Sequence, residues 1–510
     1  MRVAPERLLA LGAAAVGAIS VVSALTPEMA DRFDLVRGVL PPGVPEAARL
    51  LALAFGMALL WLSRSLALRR RSAWRLAVVL VVGVTAAHLA KGLDFEEASS
   101  AVVLLAALLR YRGRFTVPGD PAASRLAALY TLAALLAGGV WLLRPESDHL
   151  EDVLGTLGVL LALRALQLWL RPLSEIVRQS REDRAAVRAI VEAYGRDSLA
   201  FFALRRDKSW FFSPTRRSFL AYRVVGAVAL VSGDPVGDEA EFDALIAEFL
   251  RVAHARGRRI AVLGADDAGV ERYRRFGLRA IKLGEEGVVR PHAFSLDGRA
   301  IRKVRQSVHR LERAGYRSLI VSARELDERL RAELDAVSRE WLGAAAERGF
   351  AMAMDDLYAD PDIVFAVAED SAGRAQGFLH LVPAPATQTL SLSTMRRRRN
   401  TPNGLMEFLI VRAIEWARDA RVQELSLNFC VFTDVLRGGG MLRALVVRFD
   451  RLFQLERLFA FTRKFHPDWR PRYVCVERYA DVPAVALAWL RLESLLTPPR
   501  PWRRPEQVSH

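Results

Sequence analysis

Apolar segments long enough to cross a lipid bilayer occupy the first third of this 510-residue chain, and they constrain its fold more than any other feature. A helix needs about 20 largely apolar residues to span the hydrocarbon core of a bilayer. The segments are residues 8–25, 47–62, 76–90, 98–109, 126–143 and 153–170. This pattern predicts an N-terminal all-α transmembrane domain of about six helices over residues 1–171.

Charged residues between these segments alternate in sign along the chain. If the N-terminus is inside the cell, one set of loops holds Arg64, Arg69, Arg70, Arg71, Arg75, Arg110, Arg112, Arg114 and Arg125. The opposite loops hold Glu28, Asp31, Asp34, Asp94, Glu96, Glu97, Glu146 and Asp148. Because cytoplasmic loops carry the excess of Lys and Arg, the arrangement predicts a multi-pass protein whose part after Arg171 is cytoplasmic.

The part after the membrane segments predicts two α/β (α+β) domains with a similar order of elements. In residues 199–290, strand-like runs that begin with LAFFAL (199–204) precede a helix at 240–256, a strand at 258–265 and a second helix. The domain at 325–480 has a helix at 325–348, strands at 363–369, 375–382 and 389–395, a helix at 404–420 and a strand at 423–429. A linker helix (172–198), a basic connecting helix (291–324) and a C-terminal helix with its tail (481–510) complete the prediction.

The formal net charge of +16 favours a polyanionic partner, either nucleic acid or anionic lipid. The connecting helix concentrates this charge in Arg299, Arg302, Lys303, Arg305 and Arg310. Such a helix can contact phosphates or lie on anionic lipid. A solvated helix face would show the same composition, so charge alone leaves both explanations open.

A strand, a loop and a helix in the second domain form the most distinctive local motif. The run SLSTMRRRRNTPNGLMEFLI (391–410) places Asn403 and Gly404 at the start of a helix, where backbone N–H groups can hold an anionic or carbonyl group. The segments ELSLNFCVF (424–432) and LERLFAFTRKFHPDWRPRYVC (455–475) follow.

These segments resemble the phosphatidylglycerol lysyltransferase family, also called the multiple peptide resistance factor family. The resemblance covers roughly residues 195–478 and is nearest to the actinobacterial branch, in which a lysyl-tRNA synthetase module is often fused downstream. We expect this chain to be of the type without that fused module. The other matching segments are LRRDKSWFFSP (204–214), YRVVGAVALVSGDPVG (222–237), KLGEEGVV (282–289), FSLDGRAIRKVRQSVHRLERAGY (294–316) and ERGFAMAM (347–354).

The resemblance implies tandem GNAT-like acyltransferase domains and a membrane-bound reaction in the bacterial plasma membrane. An amino acid, lysine first, would pass from aminoacyl-tRNA to the glycerol hydroxyl of phosphatidylglycerol, and a separate aminoacyl-tRNA synthetase would supply the donor. Because one ester is exchanged for another, no cofactor is expected. The sequence agrees with this, since it has no Walker loop, zinc-ligand spacing or G-x-S-x-G elbow. No metal site is predicted.

Several residues are candidates for roles in this reaction. Glu347 is the first candidate for the base that deprotonates the hydroxyl, and Glu407 is the second; a favourable position at a helix N-terminus is the structural alternative for Glu407. Arg396 and Lys464 are candidates for stabilising the oxyanion or the carbonyl group. The substrate-binding candidates are Asn403, Gly404, Asn428, Asp234 and Lys208.

One position departs from the family pattern. Where the family usually reads SLDLMRR, this sequence reads SLSTMRR, so Ser393 replaces an acidic residue. If that carboxylate normally binds the amino group of the aminoacyl moiety, its replacement leaves the identity of the transferred amino acid undetermined by the family pattern. The alternatives are a GNAT-like acyltransferase with another donor and a catalytically degenerate membrane lipid-transport homologue.

Overall fold

The structure is a computed structural model that describes residues 5–26, 44–92, 94–117, 126–127, 129–134, 148–169, 177, 179–343, 353–437 and 455–493. The chain divides into two compact units. The first contains residues 1–175 with 252–258, and the second contains residues 176–251 with 259–510.

The first unit is helical in its described part. Its helices are α1 (Pro5–Leu25), α2 (Val44–Ala67), α3 (Arg71–Gly92), α4 (Phe95–Arg110) and α5 (Asp148–Trp169). Small residues let α1 and α2 approach closely: a Cβ on Gly17 would lie 2.7 Å from the carbonyl oxygen of Gly56. Close approach at small residues is the usual way in which membrane helices pack.

Among the described residues, three helices are long and apolar enough to cross a membrane: Pro5–Leu25, Ala48–Ala67 and Arg71–Lys91. They contain most of the predicted segments 8–25, 47–62 and 76–90. The predicted segment 98–109 lies in α4, which has 16 residues, and 153–170 falls on α5 up to residue 169. Most of the segment 126–143 lies outside the described residues.

The second unit is built on a mixed sheet, which has twelve strands in the described residues. The strands are β1 (Ser209–Phe212), β2 (Ser218–Val225), β3 (Val228–Ser232), β4 (Val236–Gly237), β5 (Arg259–Ala265), β6 (Arg279–Val289), β7 (Arg317–Ser322), β8 (Val364–Glu369), β9 (Ala375–Ala384), β10 (Thr389–Arg397), β11 (Glu424–Val431) and β12 (Asp468–Val476). Their order is β1-β2-β3-β5-β12-β6-β11-β10-β9-β8-β7, and β4 pairs with β2.

The helices of this unit lie between and beyond the strands in sequence. They are α6 (Arg181–Tyr194), α7 (Phe242–Ala255), α8 (Asp267–Arg275), α9 (Arg302–Arg313), α10 (Glu328–Leu342), α11 (Leu405–Asp419), α12 (Thr433–Arg437), α13 (Leu455–Thr462) and α14 (Val482–Leu492). The last four residues of α7 belong to the first unit. The pairs β3–β5 and β10–β11 are parallel, and each pair is joined by a helix, α7 or α11, as a parallel connection requires.

The last strand of each half pairs with the other half of the sheet. β6 ends the first half but lies against β11, whereas β12 ends the second half but lies against β5. The two exchanged strands also pair with each other. A buried ion pair fixes this junction, because Nη2 of Arg472 on β12 lies 2.5 Å from Oε2 of Glu286 on β6. Neither half therefore completes its sheet alone.

Hydrophobic residues at helical spacing explain how α9 packs. Val304, Val308 and Leu311 are buried in a core shared with α11, while Arg302 and Lys303 are exposed. Apolar residues at i, i+4 and i+7 form one stripe on a helix, so its charged residues necessarily face outward.

Most of the predicted elements correspond to observed ones. The predicted helices at 240–256 and 404–420 are α7 and α11, and the predicted strands at 258–265 and 389–395 are β5 and β10. The interpretation of LAFFAL as a strand was wrong: Ala200–Leu204 forms a short helical turn in which all five residues are buried. An apolar run this short fits a buried strand and a buried helical turn equally well.

Candidate active site

The strands β10 and β11 separate in the middle of the second half. They pair only from Thr389 with Glu424 to Ser391 with Ser426. Beyond this point the ladder of β10 with β9 is irregular between Leu392 and Thr394. Asn428 on β11 has a φ of +74°, and its Nδ2 donates a 2.8 Å hydrogen bond to the carbonyl oxygen of Leu392. The amide of Asn428 therefore bridges the two strands where they part.

The loop after β10 leads to the N-terminus of α11. Gly404 precedes the first turn with a φ of +93°, a conformation that glycine adopts easily. A Cβ at this position would lie 2.6 Å from Cβ of Ser307 on α9. Arg310 on α9 donates a 2.5 Å hydrogen bond to the carbonyl oxygen of Asn403. The basic helix thus packs directly against the predicted anion-binding loop.

Two of the predicted catalytic residues meet at this helix end. Nζ of Lys464 lies 2.7 Å from Oε1 of Glu407, which is in the first turn of α11. The side chain of Lys464 is 41% exposed and that of Glu407 is 15% exposed. Lys464 also lies over the ring of Phe461, 5.3 Å from its centre. This places an accessible cation beside a sheltered carboxylate at the positive end of a helix.

Arg396 has different neighbours. It is buried on β10 and lines a cavity of about 510 Å³ together with Tyr358, Asp335 and Asp356. The hydroxyl of Tyr358 donates a 2.8 Å hydrogen bond to Oδ1 of Asp335, and the guanidinium of Arg331 lies 4.2 Å from the centre of its ring. Burial, and then the bond to Asp335, raises the pKa of Tyr358. This hydroxyl is therefore a hydrogen-bond donor at neutral pH.

Ser393, which departs from the family pattern, is on β10, three residues before Arg396. Its buried hydroxyl accepts a 2.9 Å hydrogen bond from the backbone N–H of Met354. This hydrogen bond connects the backbone of Met354 to the irregular part of β10. The first candidate base, Glu347, falls outside the described residues.

The two candidates from the first half lie at another site. Lys208 is fully buried, and its Nζ donates a 2.6 Å hydrogen bond to the hydroxyl of Ser232. Oδ2 of Asp234 accepts a 3.0 Å hydrogen bond from the backbone N–H of Asp266, whereas Oδ1 has no partner among the described atoms. Burial, and next the carboxylate of Asp266, raises the pKa of Asp234. The structure does not join these residues to Glu407 and Lys464.

The residues of the basic helix take two kinds of position. Arg299, Arg302 and Lys303 are exposed, as phosphate contact requires. Arg305 instead donates a hydrogen bond to the carbonyl oxygens of Leu296 and of Gly298, the latter at 3.1 Å. Arg305 therefore holds the preceding loop, and Arg310 holds the loop before α11.

Sequence reasoning missed the polar residues that frame the sites. Tyr358 and Asp335 come from segments without a recognisable motif, and only their shared cavity reveals them. Arg472 was noted only as part of a matching segment. Its partners Glu286 and Asp197 are distant in sequence, so no local pattern identifies this cluster.

Comparison with known proteins supplies the context for this geometry. A family model described as "Phosphatidylglycerol lysyltransferase, C-terminal" matches residues 188–476. The lysylphosphatidylglycerol biosynthesis bifunctional protein LysX of Mycobacterium tuberculosis is 36% identical over 341 residues, which are 64% of this chain and 29% of the relative. LysX of Rhodococcus jostii is 34% identical over 371 residues, covering 70% of this chain and 33% of the relative. The chain thus spans about a third of the length of the curated relatives it matches.

Two solved structures have the same fold. The structure of L-PGS from Bacillus licheniformis has a TM-score of 0.57 and 25% identity, and the match covers 63% of this chain and 99% of that one. The C-terminal domain of a lysylphosphatidylglycerol synthetase from Agrobacterium fabrum has a TM-score of 0.54 and 27% identity, with coverages of 62% and 98%. The resemblance predicted from sequence is confirmed.

Proposed function

This chain belongs to the phosphatidylglycerol lysyltransferase family, and from that premise we propose that it is a membrane-bound aminoacyltransferase. Its substrates are aminoacyl-tRNA, with lysine the first candidate for the amino acid, and phosphatidylglycerol. The product is an aminoacyl-lipid that carries positive charge. The observation that carries the proposal is the contact of Lys464 with Glu407 at the N-terminus of α11, within the segment that matches the family.

The proposed reaction is an exchange of esters. The glycerol hydroxyl attacks the aminoacyl carbonyl carbon and its proton passes to a carboxylate. The bond to the 3′ oxygen of the tRNA then breaks, and that oxygen takes the proton from the carboxylate as it leaves. Lys464 is suited to stabilise the oxyanion because it is accessible and stands at the positive end of a helix. Glu407 lies within hydrogen-bonding distance of Lys464 and is the base that the described residues offer. Glu347 remains the first candidate for the base, as predicted from sequence. Arg396, which lines the cavity of about 510 Å³, stabilises the oxyanion or the carbonyl group of the substrate.

The remaining substrate-binding candidates extend this proposal. Asn403 and Gly404 offer the loop before α11 to an anionic or carbonyl group, and Asn428 orients the aminoacyl group where β10 and β11 part. The exposed residues of α9 hold a phosphate-bearing substrate, either the tRNA or the lipid headgroup. Asp234 and Lys208, predicted from sequence to bind substrate, lie at another site in the first half, so no step of this reaction is assigned to them.

The architecture is proposed in the same terms. Six membrane helices over residues 1–171, with the N-terminus inside, would place the enzymatic part in the cytoplasm; the loop charges support this topology. The linker (172–198), the first GNAT-like domain (199–290), the basic helix (291–324), the second GNAT-like domain (325–480) and the C-terminal segment (481–510) would follow. The parallel pair and crossover helix present in each half support a tandem origin.

Lipid analysis of cells that express the full chain tests the function. Each radiolabelled amino acid is supplied in turn, and lipids are separated by thin-layer chromatography. We expect one new, base-labile amino-lipid in these cells. An extract of the same cells should form this lipid, and it should stop doing so when its tRNA is removed. Lys464→Ala and Arg396→Ala should abolish it, whereas Arg463→Ala and Arg399→Ala, which remove exposed neighbouring charges, should retain it. Unchanged product in Lys464→Ala and Arg396→Ala would remove both residues from the site.

The same assay decides between the proposal and its alternatives. A product that persists without tRNA would indicate another acyl donor. The absence of product with every amino acid would favour a catalytically degenerate homologue. Ser393 is the observation that supports this alternative, because a hydroxyl bonded to the backbone takes the place of the family's carboxylate.

A further inference from the structure

A second cavity, of about 890 Å³, opens beside the end of β3 in the first half of the sheet. Its lining includes Ser232, Asp234 and Phe242 from the first half and Arg472 from β12. Neither Arg396 nor Lys464 is among the described residues that line it. The cavity is therefore distinct from the one that Arg396 lines and from the contact of Lys464 with Glu407, although Ser426 of β11 also lines it.

The hydroxyl group of Ser232 lies between this cavity and the buried amine of Lys208. Ser232 is the last residue of β3 and lines the cavity, and its Oγ accepts the 2.6 Å hydrogen bond from Nζ of Lys208. Since Tyr222 pairs with Val231 in the ladder of β2 and β3, Ser232 lies on the same sheet face as Ala221, which also lines the cavity. A hydroxyl within hydrogen-bonding distance of a base is the geometry of an activated nucleophile.

The surroundings of Lys208 favour its neutral form. Burial, followed by the charge of Arg205, lowers the pKa of Lys208 to about 7. The carboxylates of Asp207, Asp355 and Glu493 oppose this shift and are outweighed. A neutral amine can accept the proton of a hydroxyl group, as buried catalytic lysines do.

The charges of the cavity wall indicate which ligand it would take. Among the described residues of the lining, eight are Asp or Glu and four are Arg. The arginines are already paired; Arg472, for example, contacts Glu286 and Asp197. Oδ1 of Asp234 is shielded from solvent without a partner among the described atoms. The surplus charge is negative, so an ammonium group complements this wall and a phosphate does not.

We propose that Ser232 and Lys208 are the nucleophile and base of a second site, which hydrolyses small esters of amino acids that carry ammonium groups. Oγ of Ser232 forms a bond to the ester carbonyl carbon while its proton passes to Nζ of Lys208. The ester C–O bond then breaks, and that proton leaves with the alcohol. Water attacks the resulting acyl-serine, gives a proton to Lys208, and releases the amino acid, after which the proton returns to Ser232.

The start of α8 is the part of this wall from which the proposed site takes its oxyanion donors. Asp267 and Ala268 are the first residues of α8 and line the cavity. The first N–H groups of a helix have no partner within the helix. They can stabilise negative charge that develops on the carbonyl oxygen during attack.

The test uses the purified full chain in detergent, without tRNA or phosphatidylglycerol, so its result is independent of lipid aminoacylation. Lysine ethyl ester is the substrate, and N-acetylnorleucine ethyl ester, which has no positive charge, is the matched control. We expect ethanol release from the lysine ester at a rate that rises as the pH increases through about 7, because Lys208 must be neutral to act as the base. A fluorophosphonate probe should label Ser232, located by peptide mass spectrometry.

Two variants separate catalysis from folding. Ser232→Ala should lower turnover of the lysine ester at least about 100-fold and abolish labelling. The melting temperature of this variant is measured alongside, so that lost catalysis is distinguished from lost stability. Lys208→Met should do the same and also remove the pH dependence of what turnover remains. Turnover by Ser232→Ala at the wild-type rate, or a wild-type protein that neither hydrolyses the lysine ester nor reacts at Ser232, would overturn the proposal.

Discussion

Replacing Arg472 by methionine tests the ion pair that joins the exchanged strands. Nε and Nη2 of Arg472 both donate to Oε2 of Glu286, at 2.9 and 2.5 Å, and Nη1 donates to Oδ2 of Asp197 at 2.7 Å. The side chains of Arg472 and Glu286 are 5% and 2% exposed. Methionine fills much of the volume but leaves both carboxylates without their cation. Breaking a buried pair in this way costs about 3–5 kcal/mol.

A neighbouring arginine on the same strand provides the control. Arg470 pairs with Glu424 at 2.8 Å, but its side chain is 45% exposed. An exposed pair of this kind contributes less than about 1 kcal/mol. Arg470→Met should therefore unfold within about 2 °C of the wild type, whereas Arg472→Met should unfold roughly 6–10 °C earlier if this unit melts cooperatively at about 2 °C per kcal/mol.

Thermal unfolding of the full chain in detergent, followed by tryptophan fluorescence, measures the difference. The double variant Arg472→Met/Glu286→Gln should lose less than the sum of its single variants, since the uncompensated charge is removed together with its partner. The reasoning is refuted if Arg472→Met is as stable as Arg470→Met, because the buried pair would then contribute no more than the exposed one.

Three further predictions follow from contacts described above. Burial, the largest influence, raises the pKa of Glu286, but the charge of Arg472 together with hydrogen bonds from Ser198, Ser426 and Arg472 holds that pKa below the ordinary 4.5. This stabilisation is present above pH 4.5 and is lost as the pH falls through the folded-state pKa. The gap in melting temperature between the wild type and Arg472→Met should therefore narrow in acid. Gly404→Ala should destabilise the chain by about 1–3 kcal/mol. Gly298→Ala should cost less, because both glycines have positive φ but only Gly404 has close neighbours. Equal melting temperatures of the two variants would contradict this. Arg302→Gln with Lys303→Gln should lower the salt dependence of tRNA or anionic-vesicle binding by roughly two phosphate contacts without changing the melting temperature; an unchanged salt slope would exclude these residues from the contact.

The local elements of the second unit were predictable because their periodicity is strong. The apolar stripe of α9 and the alternation of β10 are both readable from the sequence. The pairing of β6 with β11 and of β12 with β5 was not, because it joins residues more than a hundred positions apart in sequence. Nothing in a short window distinguishes a strand that pairs within its own half from one that pairs with the other half.

The candidate site was predicted in part. Glu407 and Lys464 were named from separate segments, and the structure brings them into contact. The amide of Asn428, predicted to bind substrate, bridges the backbones of β10 and β11. Lys208, which directly precedes β1, was named from its matching segment, but its partner Ser232 is the last residue of β3. Pairings of this kind depend on strand register, which the sequence of either strand alone does not specify.

The exchange of β6 and β12 has a consequence during synthesis. When the ribosome has completed β6, the strand that will cover the edge of β5 is still about 190 residues away, which at roughly 5–20 residues per second corresponds to about 10–40 s. Throughout that interval the nascent chain presents an open, apolar strand edge, the feature most prone to pair with other chains. Nascent molecules on one polysome are therefore at risk of trading this strand with one another, and translation speed across the second half becomes a determinant of yield.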